Sequence, residues 1–428
     1  MTVFENLTKE CAMSSNFETL AMLGGSPVSP APLVPPNWPP VDETTADRLR
    51  DLYLSRQWSF HSPAERAFAD AYAAHHDASH GIFMANGTVT LESALAAMKV
   101  GPGDEVIVPA LTWMATAMAV HYVGATPVFV DVEPTTLCLD PAAAEAAVTP
   151  RTSAIIAVHL YGGMTDLEAI ARVAKRHGLA LIEDCAHMQG GKWAGRGVGS
   201  WGDVGSFSFQ QSKTLSSGEG GICLTNDDRL AERIFRIKHI GYAADEQQGV
   251  PGVGPGVGLV CHNYRATAFQ AVILHEQLHG IDNRLKRYNA TRDIIEAELS
   301  NVPGFRVQSR GRQATLQGYY NLLMLADQEP LLDVPRPILL EALAAEGLRV
   351  GGTYGPVYRH ALYNLPINAY RVAEGRCPVS EETAVDRVFG LSHPWLDVDA
   401  ETARTIGRIF AKVALNAELL ASHAVQKA

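Results

Sequence analysis

No two cysteines in this chain stand close enough to form a metal or redox motif. The six, Cys11, Cys138, Cys185, Cys223, Cys261 and Cys377, are scattered without a C-x-x-C pair. That argues against a zinc ribbon or a disulfide framework and fits reduced thiols in a cytoplasmic protein. A basic surplus is also missing. With 35 Lys and Arg against 46 Asp and Glu, the formal net charge is -11, which speaks against a general nucleic-acid or anionic-membrane binder. A small anionic cofactor held by local contacts stays open. The amino-terminal "MTVFENLTKECAMSSNF" has neither the basic nor the apolar region of a signal peptide. No unbroken apolar run approaches membrane-spanning length. The expectation is a cytoplasmic, soluble chain, and 428 residues leave room for two or three domains around a substantial core.

Proline crowds the first forty residues, which end in "SPVSPAPLVPPNWPPV". That density forbids a helix or central strand and predicts an extended arm over 1–40, with Trp38 packing it onto the body or onto a second subunit. "DETTADRLRDLYLSRQW" then predicts a surface helix. From about residue 80, short apolar segments alternate with helical ones. "GIFMANGTVTLESALAAMKVG" gives a strand, a break at Asn86-Gly87-Thr88, and a helix with Leu91, Leu95 and Met98 at helical spacing. "DEVIVP", "TPVFVDVE", "TSAIIAVHLYG" and "LALIEDCA" are strand-like, and "TWMATAMAVHYVG" is helical. "LDPAAAEAAV" opens with an Asp cap and a proline at the first helical position. "TDLEAIARVAKRHG" opens with a Thr165/Glu168 capping box.

This alternation predicts an α/β fold, a mainly parallel sheet with helices on both faces and ligands beyond the carboxyl ends of its strands. "GDVGSFSFQQ" and "GGICLTN" would be two further strands, with Lys213 in the loop between them. Residues 243–262, rich in glycine and proline, predict a long surface excursion or loose hairpin. From about 285, helices ("RLKRYNATRDIIEAELS", "RPILLEALAAEG") mix with strands ("YYNLLMLA", "LRVGGTYGPV"). The expected division is therefore an arm over 1–40, a large domain over 41–285 and a smaller α+β domain over 286–428.

Four features carry chemistry. Lys213 follows the apolar strand "GSFSF"; most lysines are solvated, but burial there would lower the amine's pKa and make it a nucleophile. A phosphate-binding P-loop is excluded by order, because Gly218, Gly220 and Gly221 follow the lysine where that loop needs glycines before it. Asp184 lies at a strand's carboxyl end. Alone it reads as a turn cap; with a buried amine 29 residues on, it fits pyridoxal phosphate chemistry, which needs a Schiff-base lysine and an acid at the pyridine nitrogen. Gly87 and Thr88 start a helix and offer an anion site for a cofactor phosphate, or simply an Asn-capped helix. Trp113 in "PALTWMATA" is either core or a face for a planar ring.

"EDCAH" and "GSFSFQQSK…GEGG", with upstream "NGT" and "PALTW" and downstream "NYRATAFQA", resemble the DegT/DnrJ/EryC1/StrS family of fold-type I, PLP-dependent sugar and cyclitol aminotransferases. The five motifs stand in the family's order from the arm onward. The form "FSFQQSKTLSSGEGG", with "LGGSPV" and a "WPP" arm, resembles the branch of L-glutamine:(2-deoxy-)scyllo-inosose aminotransferases of aminocyclitol and aminoglycoside antibiotic biosynthesis. The resemblance implies that Lys213 carries pyridoxal 5'-phosphate as the internal aldimine, that Asp184 binds the pyridine nitrogen, and that Trp113 stacks on the ring with His187 beside it. Gly87, Thr88 and Ser208 would hold the phosphate, and Asn263 would reach it from the neighbouring subunit of a homodimer. Arg265 and the excursion would also approach that interface.

The implied reaction is a ping-pong transamination through pyridoxamine phosphate. L-glutamine gives the amine, a ketocyclitol or ketosugar receives it, and the freed Lys213 moves the proton. Gln210 stands where many relatives carry His. The rival acceptor is a nucleotide-linked ketosugar, whose diphosphate would need a basic groove; Arg284, Lys286 and Arg287 are its candidates, or a charged helix surface. Aminodehydroquinate-type and aminobenzoate-forming relatives are another alternative. From another class, the alternative is a non-catalytic PLP-binding regulatory protein. No metal, nucleic acid or membrane is expected.

Overall fold

The computed structural model describes residues 19–59, 61–246 and 258–427. The first eighteen residues of the expected arm and residues 247–257 of the expected excursion lie outside the described residues.

Strands β1 (His80–Met84), β2 (Glu105–Pro109), β3 (Thr126–Val130), β4 (Thr152–Val158) and β5 (Ala180–Asp184) alternate with helices Gly87–Ala97, Ala115–Tyr122, Pro141–Ala146 and Leu167–His177. A two-residue hairpin, β6 (Lys192–Trp193) and β7 (Arg196–Gly197), precedes β8 (Val204–Ser208) and β9 (Gly221–Thr225). The later chain supplies β10 (Phe305–Val307), β11 (Ala314–Leu316), β12 (Asn321–Ala326), β13 (Arg371–Val372) and β14 (Val388–Ser392). The large sheet runs β1-β9-β8-β5-β4-β2-β3-β13. Only β9 opposes its neighbours, pairing antiparallel with β1 and β8; the other pairings are parallel. β10, β12 and β14 form an antiparallel sheet, and β11 joins the β6–β7 hairpin.

The strands are apolar on both faces because both are covered. Ile107, Ile155, Leu181 and Phe207 pack into one core, while Val106, Val108, Ile156 and Ile182 pack into the other. That is the pattern of a parallel sheet between two helical layers. Each such fully buried aliphatic side chain contributes roughly 1.5–3 kcal/mol.

Local chemistry sets the helix starts. Asp140 caps its helix by accepting the Ala142 N–H at 2.8 Å, as expected. The Thr165/Glu168 capping box does not form. Asp166 is the cap and accepts the Ala169 N–H at 2.9 Å, while the Thr165 hydroxyl donates to the Val158 carbonyl at 3.0 Å. The carboxylate one residue on outcompetes the hydroxyl, which strand β4 claims instead. "LRVGGTYGPV" is not a strand either. Its backbone makes isolated bridges, Gly351 with Gly390 of β14 and Pro356 with Leu111 beyond the end of β2. Between these bridges the Tyr354 N–H donates to the Tyr161 hydroxyl at 2.7 Å and not to a strand carbonyl.

β1, β8, β5, β4 and β2 all end at the same edge of the sheet. β9 starts there, with Gly221 opposite both Met84 and Ser208. A side chain on Gly221 would lie 2.5 Å from the Asn86 carbonyl group, so glycine is required by this close approach. Trp38 docks the arm onto the body near this edge, its indole N–H donating to the Gln211 carbonyl at 3.1 Å. No helix among the described residues is long and apolar enough to cross a membrane.

Candidate active site

A cavity of about 990 Å³ opens at this carboxyl edge. Its lining includes Gly87, Thr88, Trp113, Asp184, His187, Ser208 and Lys213. Seven of the eight residues singled out by sequence therefore meet in one place.

Asp184 ends β5 and is buried. Its Oδ2 accepts the Thr116 hydroxyl at 2.9 Å, its Oδ1 accepts the Ala186 N–H at 3.2 Å, and Thr116 pairs in turn with Thr112 at 2.9 Å. Burial pushes its carboxyl above the ordinary value, and the Thr116 hydroxyl, the Ala186 N–H, Lys213 and His159 oppose that shift.

Lys213 lies five residues past the end of β8, in a turn where its own N–H donates to the Gln210 carbonyl at 2.8 Å. The Gln210 side chain builds the turn, its Oε1 accepting the Ser212 N–H at 2.9 Å and the Ser212 hydroxyl at 2.6 Å. Ser212 reaches on to the Tyr320 hydroxyl at 3.1 Å. Gly218, at φ 82°, then allows the return toward β9. Lys213 Nζ sits 4.2 Å from the centre of the Tyr320 ring. Burial pulls its ammonium down to about 8 against the opposing pull of Asp184. A free amine near neutral pH is what a nucleophile or proton carrier requires.

His187 stacks on the other part of this aromatic group, 4.1 Å from the Tyr320 ring centre at 17°. Burial, then Lys213, holds its imidazole well below the ordinary value. Its Nδ1 accepts the Tyr161 N–H at 3.2 Å, so the proton of the neutral ring is on Nε2. Trp113 is 48 % exposed at the cavity wall, with its ring 5.4 Å from that of Tyr354.

Gly87 and Ser208 are in contact, since a Cβ on Gly87 would sit 2.7 Å from that of Ser208. The Thr88 N–H donates to Asn86 Oδ1 at 3.1 Å, and that oxygen also takes the Val89 N–H at 3.0 Å. The capped-helix reading of this motif thus holds for Thr88's main chain, while Gly87 and Thr88 both still line the cavity. Asn263 is exposed, bridges to His239 and does not line the cavity within this chain. Its neighbour Tyr264 does, with its hydroxyl donating to Glu92 at 3.0 Å.

Sequence reasoning missed Thr116, Tyr320 and Tyr354. Thr116 had a usable signal, three residues after Trp113. The two tyrosines come from the carboxyl-terminal part of the chain and stand in no chemical motif. Beneath the site, side-chain ligand atoms of His159, Glu183 and Cys185 lie within 4.8 Å of one another. Glu183 already accepts the N–H groups of Gly199, Trp201 and Gly202 at 2.7–2.8 Å and faces His159 Nε2 at 3.4 Å, which makes it a hydrogen-bonded clamp on that loop.

The arrangement fits pyridoxal phosphate. A buried acid for a ring nitrogen, a poised amine, aromatic faces and a side-chain-free cradle at Gly87 converge on a cavity of suitable size.

The sequence model of the DegT/DnrJ/EryC1/StrS aminotransferase family matches residues 39–409. The chain is 39% identical over 430 residues to the L-glutamine:2-deoxy-scyllo-inosose aminotransferase of Streptomyces kanamyceticus, covering 94% of this chain and 98% of the relative. It is 40% identical over 369 residues to the protein of that name from Streptoalloteichus tenebrarius, covering 83% and 85%. Among solved structures, it resembles 3-amino-5-hydroxybenzoic acid synthase with a TM-score of 0.79 at 30% identity, covering 90% of this chain and all of that one. It also resembles DesI, solved with its TDP-sugar product, with a TM-score of 0.77 at 29% identity, covering 94% and 98%.

Proposed function

The chain belongs to the DegT/DnrJ/EryC1/StrS aminotransferase family and is a PLP-dependent transaminase, and on that premise we propose that it moves an amino group from L-glutamine to a ketone of a scyllo-inosose-type cyclitol, in aminocyclitol antibiotic biosynthesis. The observation that carries the acceptor is the charge of the cavity wall. Lys213 is the sole Lys or Arg among the described lining residues. Arg287 is spent on Asp397 at 2.7 and 3.1 Å, Arg284 on the Thr214 carbonyl at 3.1 Å, and Lys286 is exposed; none of the three lines the cavity. A diphosphate-linked sugar would find no spare cation on that wall. A neutral polyol would find hydroxyl, amide and aromatic partners in Ser212, Gln210, Tyr320, Tyr354 and Trp113. The names of the Streptomyces and Streptoalloteichus relatives point the same way.

When bound, the cofactor supplies an electron sink for the carbon that loses its proton. Asp184 would pair with the ring nitrogen as a carboxylate. Gly87, Thr88 and Ser208 would hold the phosphate, Trp113 would stack on the ring with His187 beside it, and Lys213 would hold the group covalently. The free Lys213 amine would serve as base and then acid within each half-reaction, taking the proton from the donor's α-carbon and handing it on to the group in the first, and moving a proton the opposite way, to the acceptor carbon, in the second. Asn263, exposed in one chain, would complete the phosphate site from a second copy, which makes a cytoplasmic homodimer part of this reading. So is the division into an arm, a large domain over 41–285 and a small one over 286–428.

The test is a glutamine-dependent assay across free inososes and a nucleotide-linked 4-ketosugar. Turnover of the inososes is expected; turnover of the nucleotide sugar alone would overturn the acceptor.

A further inference from the structure

We infer that Trp38, His393 and Arg284 form a positioning clamp that holds the Lys213 turn against the Tyr320 ring from outside the cavity. Three carbonyls of this turn each accept from a side chain distant in sequence. The Trp38 indole donates to the Gln211 carbonyl at 3.1 Å, His393 Nε2 to that of Ser212 at 3.1 Å, and Arg284 Nη1 to that of Thr214 at 3.1 Å. The donors also touch one another. The Trp38 and His393 rings meet edge to face at 4.4 Å, and the Arg284 guanidinium lies 5.0 Å from the Trp38 ring centre. None of the three lines the cavity.

His393 is the keystone. A carbonyl only accepts, so Nε2 carries the proton and Nδ1 must accept from the Tyr288 hydroxyl, 3.1 Å away. Burial holds this imidazole down to about 3, so it is neutral and fixed in that tautomer. Its own N–H donates to the Tyr320 carbonyl at 3.0 Å. One residue therefore grips the turn that carries the amine and the residue whose ring lies under it.

Carbonyls engaged by protein donors are fixed in place, so the clamp holds the half-buried Lys213 side chain over the Tyr320 ring and within the field of Asp184. That position sets its titration. Asp184 faces the amine from β5 and favours the charged form, His187 and His393 are held neutral by burial, Tyr320 presents its ring, and Arg284 stands on the outer side of the turn. A loosened turn would let the amine swing off the Tyr320 ring into the open cavity and titrate closer to its ordinary value of 10.5.

The experiment uses the full chain without cofactor or substrate. Reductive methylation of Lys213 is followed across pH by peptide mass spectrometry. Trp38→Phe removes one donor and keeps a ring on His393 and Arg284; His393→Phe removes another and keeps the volume. Both are expected to raise the midpoint of labelling by about one pH unit, while His393→Gln, which keeps a donor, restores it. An unmoved midpoint in Trp38→Phe and His393→Phe, with circular dichroism and melting unchanged, overturns the clamp. Should His393→Phe fail to fold, Trp38→Phe decides. With no ketone in the assay, this outcome is independent of which acceptor the enzyme takes.

Discussion

The Thr116 hydroxyl donates to Asp184 Oδ2 at 2.9 Å and is the strongest of the contacts that keep this buried acid from being pushed further up. Burial favours the neutral carboxyl, and a donor to the charged form favours the carboxylate. Thr116→Val removes the donor at nearly constant volume, so the carboxyl's pKa rises further. Pairing with a ring nitrogen needs the carboxylate, and it is lost as pH falls through that raised value. A hydrogen bond to a charged group is worth about 1.5–3 kcal/mol, so cofactor binding by Thr116→Val is expected to weaken roughly tenfold or more. The loss should set in at higher pH than in the native protein. Fluorescence titration with pyridoxal phosphate across pH measures both. Equal affinities at every pH would show that Thr116 does not tune Asp184.

Lys213 makes a second pH prediction. The uncharged amine is the nucleophile, so covalent capture of pyridoxal phosphate by the cofactor-free chain should rise with pH through a midpoint near 8, the value to which burial lowers it. Lys213→Arg keeps a cation but cannot act at that pH. It is expected to yield no pyridoxyl-modified peptide after borohydride treatment. A capture midpoint above pH 10 would mean that the amine is solvated in solution.

The Gly87–Ser208 contact predicts a rescue. An alanine at 87 would press its Cβ to 2.7 Å from that of Ser208, and neither atom can rotate away. Overpacking of this kind costs about 1–3 kcal/mol, so Gly87→Ala should lower the melting temperature and weaken cofactor binding. Gly87→Ala combined with Ser208→Gly removes the opposing Cβ and should recover most of the melting temperature. Binding should recover less, because the Ser208 hydroxyl is gone. Calorimetry on the single and double variants separates packing from phosphate contact.

Much of this was legible because the signals were local. Strands β1 to β5 carry apolar residues on both faces, which only a doubly covered sheet tolerates, and Asp184, Ser208 and Gly87 each fall at a strand end or helix start. The capping box at Thr165 misled because two adjacent residues, Thr165 and Asp166, both have cap chemistry, and only tertiary contact with Val158 separates them. "LRVGGTYGPV" misled because its apolar residues pack without pairing. Tyr320 and Tyr354 were invisible because they reach the site by long-range packing, through β12 and the Tyr161 hydroxyl. Gln210 and Gln211 carried no physical meaning as letters. In the structure, one builds the lysine turn with its side chain and the other anchors Trp38 with its carbonyl.

Gln210 is also where cofactor and acceptor handling should come apart. Its amide oxygen accepts both the N–H and the hydroxyl of Ser212, and that hydroxyl is 3.1 Å from the Tyr320 hydroxyl on the cavity wall. Gln210→Leu removes the acceptor, leaving the Ser212 hydroxyl free to turn away from Tyr320. The polar wall that would meet a polyol then loses its fixed orientation, while Asp184, Gly87 and Ser208 keep theirs. The expected result is a several-fold higher KM for the ketocyclitol, of the order of one neutral hydrogen bond at about 1 kcal/mol, with cofactor affinity unchanged. Steady-state kinetics with saturating glutamine, set beside pyridoxal phosphate titration, reads the two separately. If KM and cofactor affinity shift together, Gln210 acts through the lysine turn as a whole, and the acceptor wall must be sought at Trp113 and Tyr354.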